Sequence, residues 1–153
     1  MAPRVAPKLV IAIGNPSRGD DALGPMLLDR IAALALPDVE LITDFQLQVE
    51  HALDLVGRDE VTLVDADAAG TPPFRYTMVS PSADRSITTH ALSPAALLDT
   101  YRRVVDAAIP PTWLLAIRGY AFELGAPLSP AATTNLEAAV AMLANRLSRK
   151  RAA

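Results

Sequence analysis

The sequence predicts an α/β fold: a single-domain, three-layer sandwich over residues 1–153, with a mainly parallel twisted sheet and helices on both faces. Three observations predict it. Short apolar runs bounded by polar loops recur at Leu9–Ile13, Val61–Val64 and Trp113–Ile117, as fully buried strands do. Between them lie stretches with apolar residues at helical spacing, and that alternation calls for right-handed crossovers and parallel pairing. The apolar fraction of 51% and mean hydropathy of +0.25 indicate elements buried on more than one face.

The elements follow in order. After the strand Leu9–Ile13 and a polar loop, Leu23, Leu27, Leu28, Ile31 and Leu34 mark a helix. Pro25 is compatible only with its first turn, so the helix begins near Gly24. Val39–Thr43 is a second strand. Val49, Leu53 and Val56 give a short helical face that ends at Gly57. Val61–Val64 is the third strand, and Phe74–Val79, flanked by Pro72, Pro73 and Pro81, is expected at a sheet edge. Ser93-Pro94 and Ser129-Pro130 each place a serine N-cap before a proline at the first helical position. The first opens a helix with the face Leu97, Leu98, Tyr101, Val104 and Val105; the second opens one carrying Leu136, Val140, Leu143 and Leu147.

Composition excludes several classes of function. There are no cysteines, hence no disulfides, thiolate metal sites or thiol nucleophiles. No apolar run reaches the ~18 residues that would cross a bilayer, and residues 1–8 lack the apolar core of a secretory signal. A cytoplasmic protein without membrane contact is expected. Net charge is −3, aromatic content 5%, and the only basic cluster is Arg146, Arg149, Lys150 and Arg151 at the end of the last helix, where cations complement the helix dipole. Nucleic acid is not an expected partner.

The loop Gly14-Asn15-Pro16-Ser17-Arg18-Gly19-Asp20-Asp21 leaves the first strand. It lacks the Gly-x-Gly-x-x-Gly spacing of a dinucleotide site, and its two aspartates repel phosphate and favour a cation. Either aspartate serves equally well as a cap for the following helix. Asp65 ends the third strand, where a carboxylate needs a cation or hydrogen-bond donors; an Asx turn is the plainer alternative. Asp67 is expected in a loop, with the chain turning after Ala66. His90 lies in the polar stretch 85–90, and His51 falls within a helix, in a surface or packing role. In an open parallel sheet, ligands collect beyond the carboxyl ends of the strands. Asp21, Asp65 and His90 are expected to converge there, where they would form an O,O,N site for a divalent transition metal. With no nucleophilic serine–histidine context, His-Glu-x-x-His motif or cysteine, any hydrolysis must use water activated by a carboxylate or a metal.

Taken together, Gly14-Asn15-Pro16, Gly19-Asp20-Asp21, Val64-Asp65-Ala66 and His90 with Leu92, Leu97 and Leu98 resemble the [NiFe]-hydrogenase maturation proteases. The likeness continues through Leu114–Gly119, Glu123 and Leu128-Ser129-Pro130, from about Lys8 to the last helix. It implies an endopeptidase that removes the C-terminal extension of a hydrogenase large-subunit precursor after nickel insertion. Asp21, Asp65 and His90 then contact nickel carried by the substrate, with Asp21 and Asp65 also catalytic, and no permanent cofactor is expected. Asn15, Gln46 and Glu50 are the implied substrate contacts, and a monomer meeting the precursor transiently is the implied state.

Two departures stand out. The first carboxylate is often glutamate in that family, and Asp21 is one methylene shorter. Where many members carry Asp-Gly-Gly-Thr, this chain has Asp44–Glu50, which is more like the branch serving NAD-linked hydrogenases. The rival readings are a peptidyl-tRNA hydrolase-like enzyme, which shares Gly-Asn-Pro after its first strand, and a non-enzymatic metal- or nucleotide-binding module. The former needs a histidine shortly downstream, and none precedes His51.

Overall fold

The computed structural model describes residues 4–83 and 92–149. Its elements are β1 (Lys8–Ile13), a 3-10 turn (Gly19–Ala22), α1 (Leu23–Ala32), β2 (Val39–Asp44), α2 (His51–Asp54), β3 (Glu60–Asp67), β4 (Phe74–Met78), α3 (Pro94–Val104), β5 (Thr112–Arg118) and α4 (Pro130–Leu147). The strands form one sheet in the order β2-β1-β3-β5-β4, parallel except for β4, which runs antiparallel to β5 at the edge.

Alternation along the strands explains the layers, because successive side chains point to opposite faces. Val10 and Ala12 of β1, Val64 of β3, and Leu115 and Ile117 of β5 are buried against α1 and α4. Leu9, Ile11 and Ile13 of β1, with Val61 and Leu63 of β3, are buried against α2 and α3. Each fully buried leucine or isoleucine in these layers stabilises the fold by about 1.5–3 kcal/mol. The β4 edge is closed by Tyr76, which stacks on Trp113 at 4.9 Å; Arg146 of α4 lies over both rings and pairs with Glu60 at 2.6 Å.

Both serine caps form. Ser93 accepts from the N–H of Ala96, and Ser129 from that of Ala132. Three expectations are corrected. First, the face of α2 is reversed: His51, Ala52 and Leu55 turn inward, while Val49, Leu53 and Val56 face solvent. The segment is a single α-helical turn with i→i−3 hydrogen bonds from His51, Ala52 and Leu53 at its start and from Leu55 and Val56 at its end, too short for helical periodicity to set its inward face. Second, β3 does not stop at Ala66. Pairing with β5 carries it to Asp67, opposite Arg118. Third, Leu34 lies past the end of α1 and Val104 at the end of α3, and both are exposed.

The chain order creates a crevice. From β1 the chain passes to β2 on one side, then returns to β3 on the other. The loops leaving β1 and β3 therefore diverge at the carboxyl ends of two adjacent strands, the position where open α/β sheets bind ligands.

Candidate functional site

The two aspartates that follow β1 have opposite fates, and neither caps a helix. Asp20 is buried. It accepts from the backbone N–H groups of Tyr120, Ala121 and Ser129 and from the Ser129 hydroxyl, at 2.7–3.0 Å. Burial alone would raise its pKa, but the hydrogen bonds from Ser129, Ala121 and Tyr120 outweigh burial and hold it below the usual carboxylate value. Asp20 thus ties the β1 loop to the loop between β5 and α4, and Asp21 is left to face the crevice. The tie was not legible in the sequence, since its partners lie about a hundred residues away.

The loop itself is tightly built. A Cβ at Gly14, whose φ is +151°, would land on the carbonyl oxygen of Asp21. Asn15 donates its backbone N–H to Asp21 Oδ2 at 2.7 Å, and its own side-chain oxygen accepts from Ser17 at 2.9 Å. Asn15 therefore shapes the loop and orients Asp21.

Asp65 continues the face of β3 that carries Val61 and Leu63, and so points to the α2–α3 side of the sheet. Its Oδ1 accepts from the N–H of Ala66 at 2.8 Å. Desolvation pushes its pKa up to about 7 against that hydrogen bond, with smaller added repulsion from Asp21 and Asp67. Asp67 shares this face because the strand continues. It is engaged elsewhere, accepting from Ala69 and pairing with Arg75 at 2.8 Å, contacts that lower its pKa.

Asp21 and Asp65 line one cleft of about 230 Å³, together with Ile13, Gln46 and Leu92. Pro94, at the start of α3, and Phe45 complete its mouth. Gln46 sits in the β2–α2 loop, which is braced from within. His51 Nδ1 accepts from the N–H of Gln48 at 2.9 Å, which leaves its proton on Nε2, 3.4 Å from Asp44 Oδ2. Asp44 also accepts from the N–H of Phe45 and from the Gln48 amide. His51 is thus a packing residue that fixes the loop. Glu50 is not brought into the cleft; it is exposed at the N-cap position of α2. His90 lies outside the described residues, two positions before the cleft residue Leu92. Among the described residues, no group of three or more metal-binding side chains forms.

Chemically, the cleft joins two carboxylates, and among the described residues neither has an ion-pair partner. Two like charges in a partly desolvated crevice disfavour simultaneous ionisation, and a cation relieves that conflict. The donor set therefore suits a positive ion presented from outside, and a carboxyl titrating near neutrality suits proton transfer to and from water.

No family model and no curated protein matches this chain. Solved structures do match its fold. The [NiFe]-hydrogenase maturation protease HycI from Thermococcus kodakarensis superimposes with a TM-score of 0.72 at 21% identity, covering 94% of each chain. The hydrogenase-maturating endopeptidase HybD from E. coli gives 0.69 at 23% identity, covering 92% of this chain and 91% of that one. A hydrogenase 2 maturation peptidase from a Thaumarchaeota archaeon gives 0.66 at 22% identity, over 94% and 99%. This chain has the fold of those proteins, over nearly its whole length.

Proposed function

We propose that this chain is an endopeptidase that removes the C-terminal extension of a [NiFe]-hydrogenase large-subunit precursor once nickel is in place. One observation carries the reading: Asp21 and Asp65 face one cleft at the switch point of the sheet, without a cationic partner among the described residues. The fold shared with the maturation proteases supports it, as do the sequence motifs that hold both residues.

In this mechanism nickel arrives as part of the substrate. Asp21 and Asp65, joined by His90, contact the ion, and its charge offsets their mutual repulsion. Docking the ion also sets the adjoining peptide bond against the cleft. A water attacks the scissile carbonyl carbon; one of the two carboxylates takes the water's proton and delivers it to the departing amine as the C–N bond breaks. Asp21 and Asp65 are the two carboxylates of the cleft that fit this role. Gln46 presents an amide to the substrate main chain, Asn15 holds Asp21 in register, and Glu50 meets the substrate outside the cleft. The protein acts as a cytoplasmic monomer.

The test mixes purified protein with nickel-loaded and nickel-free precursor and follows the extension by mass spectrometry. Only the loaded precursor should be shortened, and Asp21→Asn, Asp65→Asn and His90→Ala should each slow processing by about 100-fold or more, since even indirect changes at metal sites cost ~10–100-fold. Undiminished processing by Asp65→Asn would refute the assignment. Ion or precursor binding without cleavage would identify a binding module instead. Purified protein should carry far less than one nickel per chain; a tightly held stoichiometric ion would count against nickel as a substrate-borne group.

A further inference from the structure

The segment that follows the cleft residue Phe45 carries a series of exposed apolar side chains. Phe45 lines the cleft yet is 69% exposed, and Val49, Leu53 and Val56 beyond it are 55%, 65% and 41% exposed. Their spacing is that of a face meant for burial, but the inward positions of this segment are already filled by Leu47, Ala52 and Leu55. The exposed four are thus surplus to the core. They are also held still. Asp44 fixes the N–H of Phe45, and His51 fixes that of Gln48, so the ridge is a formed surface.

Its charge is one-sided. Glu50 and Asp54 lie among these apolar residues, neither carboxylate is paired among the described residues, and no lysine or arginine occurs between Asp44 and Gly57.

We propose that Phe45, Val49, Leu53 and Val56 form a docking ridge for an apolar, lysine- or arginine-bearing segment of the polypeptide whose cleavage point enters the cleft. The inference rests on the endopeptidase reading and adds to it a recognition surface outside the reacting groups. Continuity with the cleft through Phe45 says what occupies the ridge: a chain held at Asp21 and Asp65 shares the cleft with Phe45, and the exposed residues that follow Phe45 in sequence are apolar with acidic neighbours. At protein interfaces a few side chains carry most of the affinity, while their surroundings contribute little.

The experiment compares wild type with Leu53→Ser, Val49→Ser and Glu50→Lys on nickel-loaded precursor, measuring KM, kcat and direct binding. The exposed Met78 on β4 serves as a control through Met78→Ser. Each ridge variant should raise KM about tenfold with kcat little changed, the effect of losing one good apolar or charged contact, and Met78→Ser should change neither. Thermal midpoints should stay close to the wild-type value, because the replaced side chains are exposed; Glu50→Lys tests the same surface without removing an apolar group. If wild type cleaves and all ridge variants keep the wild-type KM, the ridge is wrong and the endopeptidase stands. If wild type binds precursor without cleaving it, and Leu53→Ser abolishes that binding, the ridge stands and the endopeptidase falls. Neither binding nor cleavage by wild type overturns both.

Discussion

Asp20 receives both the backbone N–H and the hydroxyl of Ser129, each at 2.7 Å, and so clamps the loop after β1 to the first turn of α4. Its neighbour Asp21 accepts one N–H among the described residues, from Asn15, and lines the cleft. Adjacent residues of the same type therefore differ: one is bound into the scaffold and the other lines the cleft. Asp20→Ala should cost about 3–5 kcal/mol, since it strands several buried donors at once, measured as a shift in urea midpoint. Asp21→Asn should cost about 1 kcal/mol or less, yet abolish processing.

Asp65 makes stability fall as pH rises. Its folded pKa of about 7 lies above the ordinary 3.8, so the folded state binds the proton more tightly than the unfolded chain does. The stabilisation is complete below about pH 4 and is lost progressively up to about pH 7. Asp65→Asn carries no such penalty. It should match wild type near pH 4 and exceed it above pH 7, by on the order of 2 kcal/mol after allowance for solvent screening. Chemical denaturation at the two pH values checks this; an equal difference at both would show that Asp65 titrates normally.

Gly14→Ala should damage the site through the backbone. The added Cβ collides with the Asp21 carbonyl oxygen in a conformation that side-chain-bearing residues avoid. A loss of about 2 kcal/mol or more is expected, with processing reduced beyond what stability explains because Asp21 is displaced. Calorimetry and the processing assay, run on one preparation, separate the two effects.

The two serine caps should differ. Ser93→Ala removes a cap alone and should cost about 1 kcal/mol. The Ser129 hydroxyl caps α4 and also donates to Asp20, so Ser129→Ala should cost about 2–3 kcal/mol. A double-mutant cycle with Asp20→Asn should show coupling at Ser129 and none at Ser93.

Elements with strong local signals were legible in the sequence. The apolar runs of β1, β3 and β5, the edge placement of β4 and both Ser-Pro helix starts formed where residue type and spacing put them. The errors fell where local pattern was overruled. In the short α2 segment, apolar residues occupy both sides, so periodicity could not decide which would face inward; packing chose Ala52 and Leu55 over Val49 and Leu53. Ala66 and Asp67 have little strand preference, yet pairing with Ile117 and Arg118 keeps them extended. At the candidate site, the types of residue were readable but not their division of labour. What distinguishes Asp20 from Asp21 is a partner at Ser129, and nothing near position 20 announces it.

The position of β1 between β2 and β3 has a consequence for how many sequences the fold can carry. The opening at the sheet's upper rim is produced by the path of the main chain, before any particular side chain is chosen. Surrounding residues can drift without closing it, provided a few rim groups are retained. This accounts for a shared backbone over 94% of two chains that agree at only 21% of positions. One backbone route is thus compatible with sequences that differ at most of their positions.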